Sequence, residues 1–119
     1  MLFGITGKTR LFLFTGSADM RKGFDGLGGL VINKLKQDPL SGDIFIFINR
    51  PRTLIKLLVW DQNGFAIWHK RLERGTFEMP KVNQNTFSVE INRQQLMLIL
   101  EGISVKNIRL RKRFSLENS

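Results

Sequence analysis

Residues 44–72 read IFIFINRPRTLIKLLVWDQNGFAIWHKRL, and the rest of the chain is organised around them. Three runs rich in branched and aromatic residues are broken by two turn signals, Asn49-Arg50-Pro51-Arg52-Thr53 and Asp61-Gln62-Asn63-Gly64. Asn-Gly between apolar runs is a strong short-range hairpin signal. The pattern predicts a three-stranded antiparallel meander, which one shared hydrophobic face can stabilise where a lone hairpin is marginal.

The pleat sorts the side chains, because successive residues alternate between faces and opposed residues share one. With even loops, Ile44, Ile46, Ile48, Ile55, Leu57, Val59, Ala66, Trp68 and Leu72 fall together, with Lys70 as the polar exception. The other face collects Phe45, Phe47, Lys56, Leu58, Trp60, Phe65, Ile67, His69 and Arg71. That mixture of rings and cations has the composition of a stacking platform for single-stranded nucleic acid. So much exposed apolar surface is unusual on a monomer, so cover by the second helix or by the strand around Phe87 is the competing expectation. Pairing with a second copy of the chain is the third.

Outside the meander, Leu11 to Phe14 reads as a short strand, followed by a turn at 15–19 in which Ser17 or Asp19 could cap a helix. A helix is expected from about Met20 to Lys36, its stripe formed by Met20, Phe24, Leu27, Val31 and Leu35. Gly26, Gly28 and Gly29 each cost about 1 kcal/mol there relative to alanine, a cost that close approach to the isoleucine face could offset. Asp38-Pro39 ends the helix. Residues 81–85 read as a polar loop tip, and 86–91 as a strand with Phe87, Val89 and Ile91 inward. Asn92 and Gln95 form a capping-box pattern for a second helix that buries Leu96, Ile99, Leu100 and Ile103 and stops at Gly102. The expected fold class is α+β: an antiparallel sheet of four to five strands, with the long helix on its isoleucine face and a shorter helix near the C-terminus.

The chain has 119 residues, 42% of them hydrophobic, which suits a single domain, 1–119, with a basic tail from about 106. No cysteine is present, which removes disulfides, thiol catalysis and cysteine zinc sites. No run approaches the roughly 20 apolar residues of a membrane span, and the start is not patterned as a signal peptide. A cytoplasmic protein is expected. The formal net charge is +9, from 19 Lys and Arg against 10 Asp and Glu. Such an excess favours a polyanionic partner, since neutralising phosphates releases counterions.

Four segments resemble one family: TGSADMRKGFDGL (15–27), DPLSGDIFIF (38–47), IKLLVWDQNGFAIWHKRLERGTFEMP (55–80) and LILEGI (98–103). They are similar to the small accessory transposition protein, TnpB-type, encoded by the second open reading frame of the insertion sequence sixty-six family of bacterial transposable elements. The resemblance spans about residues 10–105. The matching positions include Asp19, Met20, Arg21, Lys22, Gly23, Phe24 and Asp25, and later Lys56, Trp60, Asp61, Gly64, Phe65, Lys70, Arg71, Leu72, Glu73 and Gly75. The resemblance implies a role in transposition beside a separate transposase, without an established catalytic residue set.

The candidate nucleic-acid contacts form four groups. Arg21 and Lys22 sit where a first helical turn is expected, with free backbone N–H groups nearby; two cations there oppose the helix dipole. Arg50 and Arg52 flank Pro51 at a hairpin tip, and antiparallel pairing brings Lys70, Arg71 and Arg74 toward it. Lys56 lies on the mixed face. Arg109, Arg111, Lys112 and Arg113 form the basic tail. The Arg21 pair and the tip cluster could instead be solvated charge, the face with Lys56 could be covered, and the tail could be a final strand with one charged face. His69, the only histidine, is a poor metal candidate without partners, and the mixed face explains it as a partly buried polar residue.

The acidic residues are thinly spread, and no phosphate loop, serine motif or zinc pair is present. The expected function is therefore a non-catalytic accessory factor that binds nucleic acid, with no cofactor, no metal and no membrane partner. DNA is the expected partner, with the element's transposase and a second copy as further candidates. A protein–protein adaptor on the transposase is the alternative reading, and a small metal-dependent nuclease is third.

Overall fold

A computed structural model describes residues 6–81 and 85–102. Its elements are β1 (Leu11–Phe14), α1 (Phe24–Leu30) running on into a π-helical turn (Val31–Leu35), β2 (Ile44–Ile48), β3 (Leu54–Asp61), β4 (Gly64–Arg71), β5 (Ser88–Ile91) and α2 (Arg93–Glu101). The meander is β2-β3-β4, with Ile46 opposite Leu57, Val59 opposite Ala66 and Phe47 opposite Lys56. Ile48 pairs with Ile55 and Asp61 with Gly64, so each pair encloses an even stretch, 49–54 and 62–63, and the side chains divide between faces as the pleat predicts. The second turn is tight: Asp61 pairs with Gly64, and Gln62 takes the left-handed conformation at φ 57°.

The sheet is mixed rather than antiparallel. Its order is β4-β3-β2-β1-β5, and β1 lies parallel to β2, with Leu11 beside Ile44 and Leu13 beside Ile46. A helix separates these strands in sequence, and a crossover of that length permits parallel neighbours. β5 closes the other side of β1 in antiparallel register.

Each face has its own core. On one, Leu11, Leu13, Ile44, Ile46, Ile48, Ile55, Leu57 and Val59 pack with Phe77, Leu96 and Ile99. On the other, Phe12, Phe14, Phe45, Phe47 and Leu58 pack with Leu27, Val31 and Leu35. α1 therefore covers the aromatic face, while α2 and the 72–80 segment cover the isoleucine face, the reverse of the expectation for the long helix. The single-strand stacking platform is closed, because α1 roofs it and Phe45 and Phe47 are fully buried. The rings pair among themselves instead, with Phe12 stacked on Phe45 at 5.8 Å and Trp60 edge-on to Phe65 at 5.1 Å.

The first helix is shorter than its periodicity suggests, 12 residues including the π-helical turn. In a helix begun at Met20, the carbonyls of Met20 and Lys22 would accept the N–H groups of Phe24 and Gly26. Lys56 Nζ takes both carbonyls, at 2.8 Å each. Neither Ser17 nor Asp19 caps it; the N-cap is Gly23, with no side-chain hydrogen bond. The glycines do not serve an approach to the sheet either. A Cβ on Gly28 or Gly29 would meet nothing within 4 Å, and one on Gly26 would meet Lys22.

α2 follows its sequence signals closely. The Asn92 side chain accepts from Gln95 N, the Gln95 side chain accepts from Asn92 N, and the helix stops at Gly102, φ 77°. Leu96 and Ile99 are buried, and Leu100 packs on the same core. Phe87 departs from its expected inward place: it precedes β5, stacks on Phe14 and carries Lys34 over its ring. Ile103, the tip residues 82–84 and the tail cations Arg109, Arg111, Lys112 and Arg113 lie outside the described residues.

Candidate nucleic-acid interface

The 49–53 tip is built by one asparagine. Asn49 Oδ1 accepts the backbone N–H groups of Thr53 and Leu54, at 2.9 and 3.0 Å, and Asn49 Nδ2 donates to Thr53 Oγ1. This network holds Arg52 at φ 61°, where a side chain is sterically costly. Arg52 O then accepts from Phe77 N at 2.7 Å, and Thr53 O from Leu72 N at 2.9 Å. Arg50 and Arg52 are thus drawn alongside 72–77, which carries Arg74 in an exposed bend.

The 15–22 segment reaches the same end of the sheet by two ties. Ala18 N donates to Ile48 O, the last residue of β2, and Lys56 Nζ holds the carbonyls of Met20 and Lys22. The candidate cations accordingly separate into three kinds. Arg50, Arg52 and Arg74 stand on the joined 49–53 and 72–77 segments, Lys22 stands on the segment tied to Lys56, and none of the four has a carboxylate partner among the described residues. Arg21 and Arg71 reach the same end but are paired. Arg21 is bound by Asp19, from backbone N at 2.9 Å and from guanidinium Nη2 at 2.9 Å, and Arg71 by Glu73 at 3.0 Å.

Lys56 and Lys70 form the third kind. Lys56 ties down the 20–22 backbone. Lys70 Nζ donates to Leu100 O at 2.9 Å, meeting the last turn of α2 where the helix dipole favours a cation. Those hydrogen bonds give both a structural task that charge and position in the sequence do not reveal.

The electrostatics follow the same geometry. Hydrogen bonds from the Arg21 side chain and backbone pull the Asp19 carboxyl down to about 2. His69, opposite Lys56 in the β3–β4 ladder, is pushed below its ordinary value by burial and by the Lys56 charge. No group of three His, Cys, Asp or Glu side chains able to hold a metal occurs among the described residues.

Sequence reasoning missed one wall of this end. Thr15, Gly16 and Ser17 line a cleft with Ile48, Asn49, Arg50, Arg52 and Met79. The pattern marks 15–19 only as a turn. The overlooked signal is the small polar run Thr15-Gly16-Ser17, one residue before Asp19-Met20-Arg21-Lys22. α2 also returns to this end, since a Cβ on Gly102 would lie 2.8 Å from Leu72 and 3.5 Å from Thr76 O. Among the described residues no helix is long and apolar enough to cross a membrane.

No solved structure matches the chain. Two relatives from Sinorhizobium fredii (strain NBRC 101917 / NGR234) do. The uncharacterized protein y4hO is 37% identical over 94 residues, covering 79% of this chain and 80% of its own length. The uncharacterized protein y4jC is 29% identical over 102 residues, covering 86% of each. The family described as IS66 Orf2 like protein matches residues 9–110, five residues further at the C-terminal end than the motifs above suggest, so that Arg109 falls within it. With DMRKGFDGL folded against the hairpin WDQNGFAIWHKRL and the match running almost the whole length, the chain belongs to the IS66 Orf2-like family of accessory transposition proteins.

Proposed function

We propose that this chain is a non-catalytic, DNA-binding accessory factor of transposition, and that its arginine-bearing sheet end lies against the phosphate backbone of duplex DNA. The observation that carries this reading is the joining of the 49–53 tip, with Arg50 and Arg52, to the 72–77 segment, with Arg74, at one end of the sheet, with Lys22 on the segment tied to Lys56. Arg21 and Arg71 add charge beside them. A duplex suits the site better than a single strand, because base stacking needs exposed rings and the rings beside Lys56 are buried beneath α1. Backbone contacts of this kind position a protein without reading sequence. The carboxylates support the non-catalytic reading: Asp19, Asp43, Glu73 and Glu90 each accept a hydrogen bond from Arg21, Arg10 or Arg71.

The test is affinity for a short duplex and for the matching single strand across a salt series. If the four unpaired cations each neutralise one phosphate, log K falls against log salt with a slope of about −3.6, and the duplex binds more tightly. Flat salt dependence would remove this reading.

An adaptor that contacts the transposase is the second reading. It is supported by Met97 and Leu98, 53% and 42% exposed on α2 beside an apolar cleft lined by Glu78, Pro80, Gln95, Leu98 and Ile99. An adaptor binds DNA only when its protein partner is added. A nuclease would nick DNA with added metal and lose that activity on Asp25→Ala or Glu73→Ala.

A further inference from the structure

The cleft between the 15–17 turn and the 49–53 tip has features that a general basic surface lacks. Thr15, Gly16 and Ser17 line one wall and Ile48, Asn49, Arg50 and Arg52 the other, with Met79 completing it. Among the described residues no carboxylate lines it, although Asp19 is only two residues from Ser17. Asp19 is turned to Arg21, which removes the nearest negative charge. The space is about 240 Å³, room for a tetrahedral oxyanion.

Its walls are fixed before any ligand arrives. Thr15 Oγ1 donates to Thr86 O at 2.8 Å, Thr15 N to Phe87 O at 2.9 Å and Ala18 N to Ile48 O at 2.9 Å. The Gly16 and Ser17 N–H groups have no acceptor among the described residues. Gly16 permits this tight turn, since a Cβ there would stand 2.7 Å from the Phe14 ring. Opposite, the Asn49 network holds the tip, and Arg52 takes a left-handed conformation that a glycine would adopt more cheaply. Backbone strain at a polar, charged cleft is a recognised mark of a binding site.

We infer that this cleft seats one phosphate group, recognised by Arg50 and Arg52 together with the Ser17 hydroxyl and the Gly16 and Ser17 N–H groups. The inference rests on the DNA reading for its biological ligand, but the seat itself binds phosphate without DNA. Paired backbone N–H groups and guanidinium forks are the donor set that tetrahedral oxyanions take.

The probe is inorganic phosphate, titrated into the full chain at constant ionic strength while backbone amides are followed by NMR, with chloride as the control. Saturable shifts are expected at Gly16, Ser17 and Arg52. Arg52→Gly is the decisive variant: glycine tolerates the tip conformation, so melting temperature holds or rises. Phosphate affinity falls about tenfold, the loss of one charge-assisted hydrogen bond. Ser17→Ala lowers it about threefold. Shifts spread over all basic residues without saturation, or an Arg52→Gly variant that binds phosphate unchanged, overturn the seat.

Duplex binding is measured alongside. A steep salt dependence for DNA with no phosphate response at 15–17 refutes the seat and leaves the DNA reading standing. Saturable phosphate binding with no duplex affinity does the opposite. Duplexes carrying 5′-phosphate or 5′-hydroxyl ends distinguish the source. Tighter binding of the 5′-phosphate that is lost in Arg52→Gly assigns a strand end, and equal binding with equal loss assigns the backbone.

Discussion

The sheet end with the 49–53 tip carries Arg50, Arg52, Arg71 and Arg74, and the 15–22 segment adds Arg21 and Lys22. The opposite end, with the 61–64 turn, carries Asp43, Asp61 and Glu90 as well as Lys8 and Arg10. There Arg10 is paired: its Nη2 meets Glu90 at 2.8 Å, and Asp43 accepts Arg10 N at 3.0 Å. Among the described residues the two ends therefore differ in how many cations stand without a carboxylate partner. Composition gives the surplus, and only the topology, with β1 parallel to β2 and 15–22 tied to Ile48 and Lys56, decides where it collects.

The contrast can be broken most severely by removing what both ends share. Phe45 is fully buried between α1 and the sheet, so Phe45→Ala should cost about 3–5 kcal/mol in denaturant unfolding. Next comes the tie that is specific to the arginine end. Lys56→Met leaves the carbonyls of Met20 and Lys22 without their donor, at about 1–3 kcal/mol for each one left dry. Hydrogen exchange should quicken in 18–23 and stay unchanged in 61–66. Uniform quickening would show that Lys56 supports the whole fold rather than that end.

Charge reversal then compares the ends directly. Arg50→Glu with Arg74→Glu should lower duplex affinity more than about tenfold and flatten the salt slope by about 1.8 or more. Lys8→Glu, an exposed change just before β1, should leave that slope nearly as it was. A smaller effect separates α1 from both ends: Gly29→Ala, with nothing within 4 Å of the new Cβ, should raise stability by about 0.5–1 kcal/mol.

The smallest effect is on proton binding. His69 is held below its usual value in the folded chain, with burial first and Lys56 second as causes. The unfolded chain therefore takes up this proton first, and stability falls as pH drops below about 6.5. A polyanion at the arginine end offsets Lys56, so His69 should titrate higher when duplex is bound. Asp19 works in the other window. Its carboxyl, lowered to about 2 by Arg21, contributes stability above the unfolded value of about 3.9 that is lost as pH falls toward 2.

The meander was legible because the two turn signals mark where the strands reverse, and an even number of residues between paired positions, 49–54 and 62–63, fixes every face assignment between Ile44 and Arg71. The α2 cap was legible because Asn92 and Gln95 act on their own backbone. Which helix covers which face was not, since both sheet faces and both helical stripes are apolar. Periodicity cannot rank isoleucine against phenylalanine as a floor for Leu27 and Val31. Reading strand, helix and strand at 11–48 as one crossover unit would have given the parallel β1–β2 pair. The start of α1 was hidden for another reason: its competitor for the Met20 and Lys22 carbonyls is Lys56, more than thirty residues away in sequence. The same tie shows why charge alone overstates a site, since Lys56 and Lys70 spend their ammonium groups on backbone carbonyls.

The most direct measurement is an NMR map of arginine side-chain Nε–H groups on the full chain as a short duplex is added at moderate salt. Arg50, Arg52 and Arg74 should shift together and saturate with one affinity, while Arg10, bound to Glu90 at the opposite end, stays in place. Shifts that fall on Arg10 as strongly as on the 49–53 tip, or on neither, would contradict the claim that folding collects the charge at one end for a polyanion.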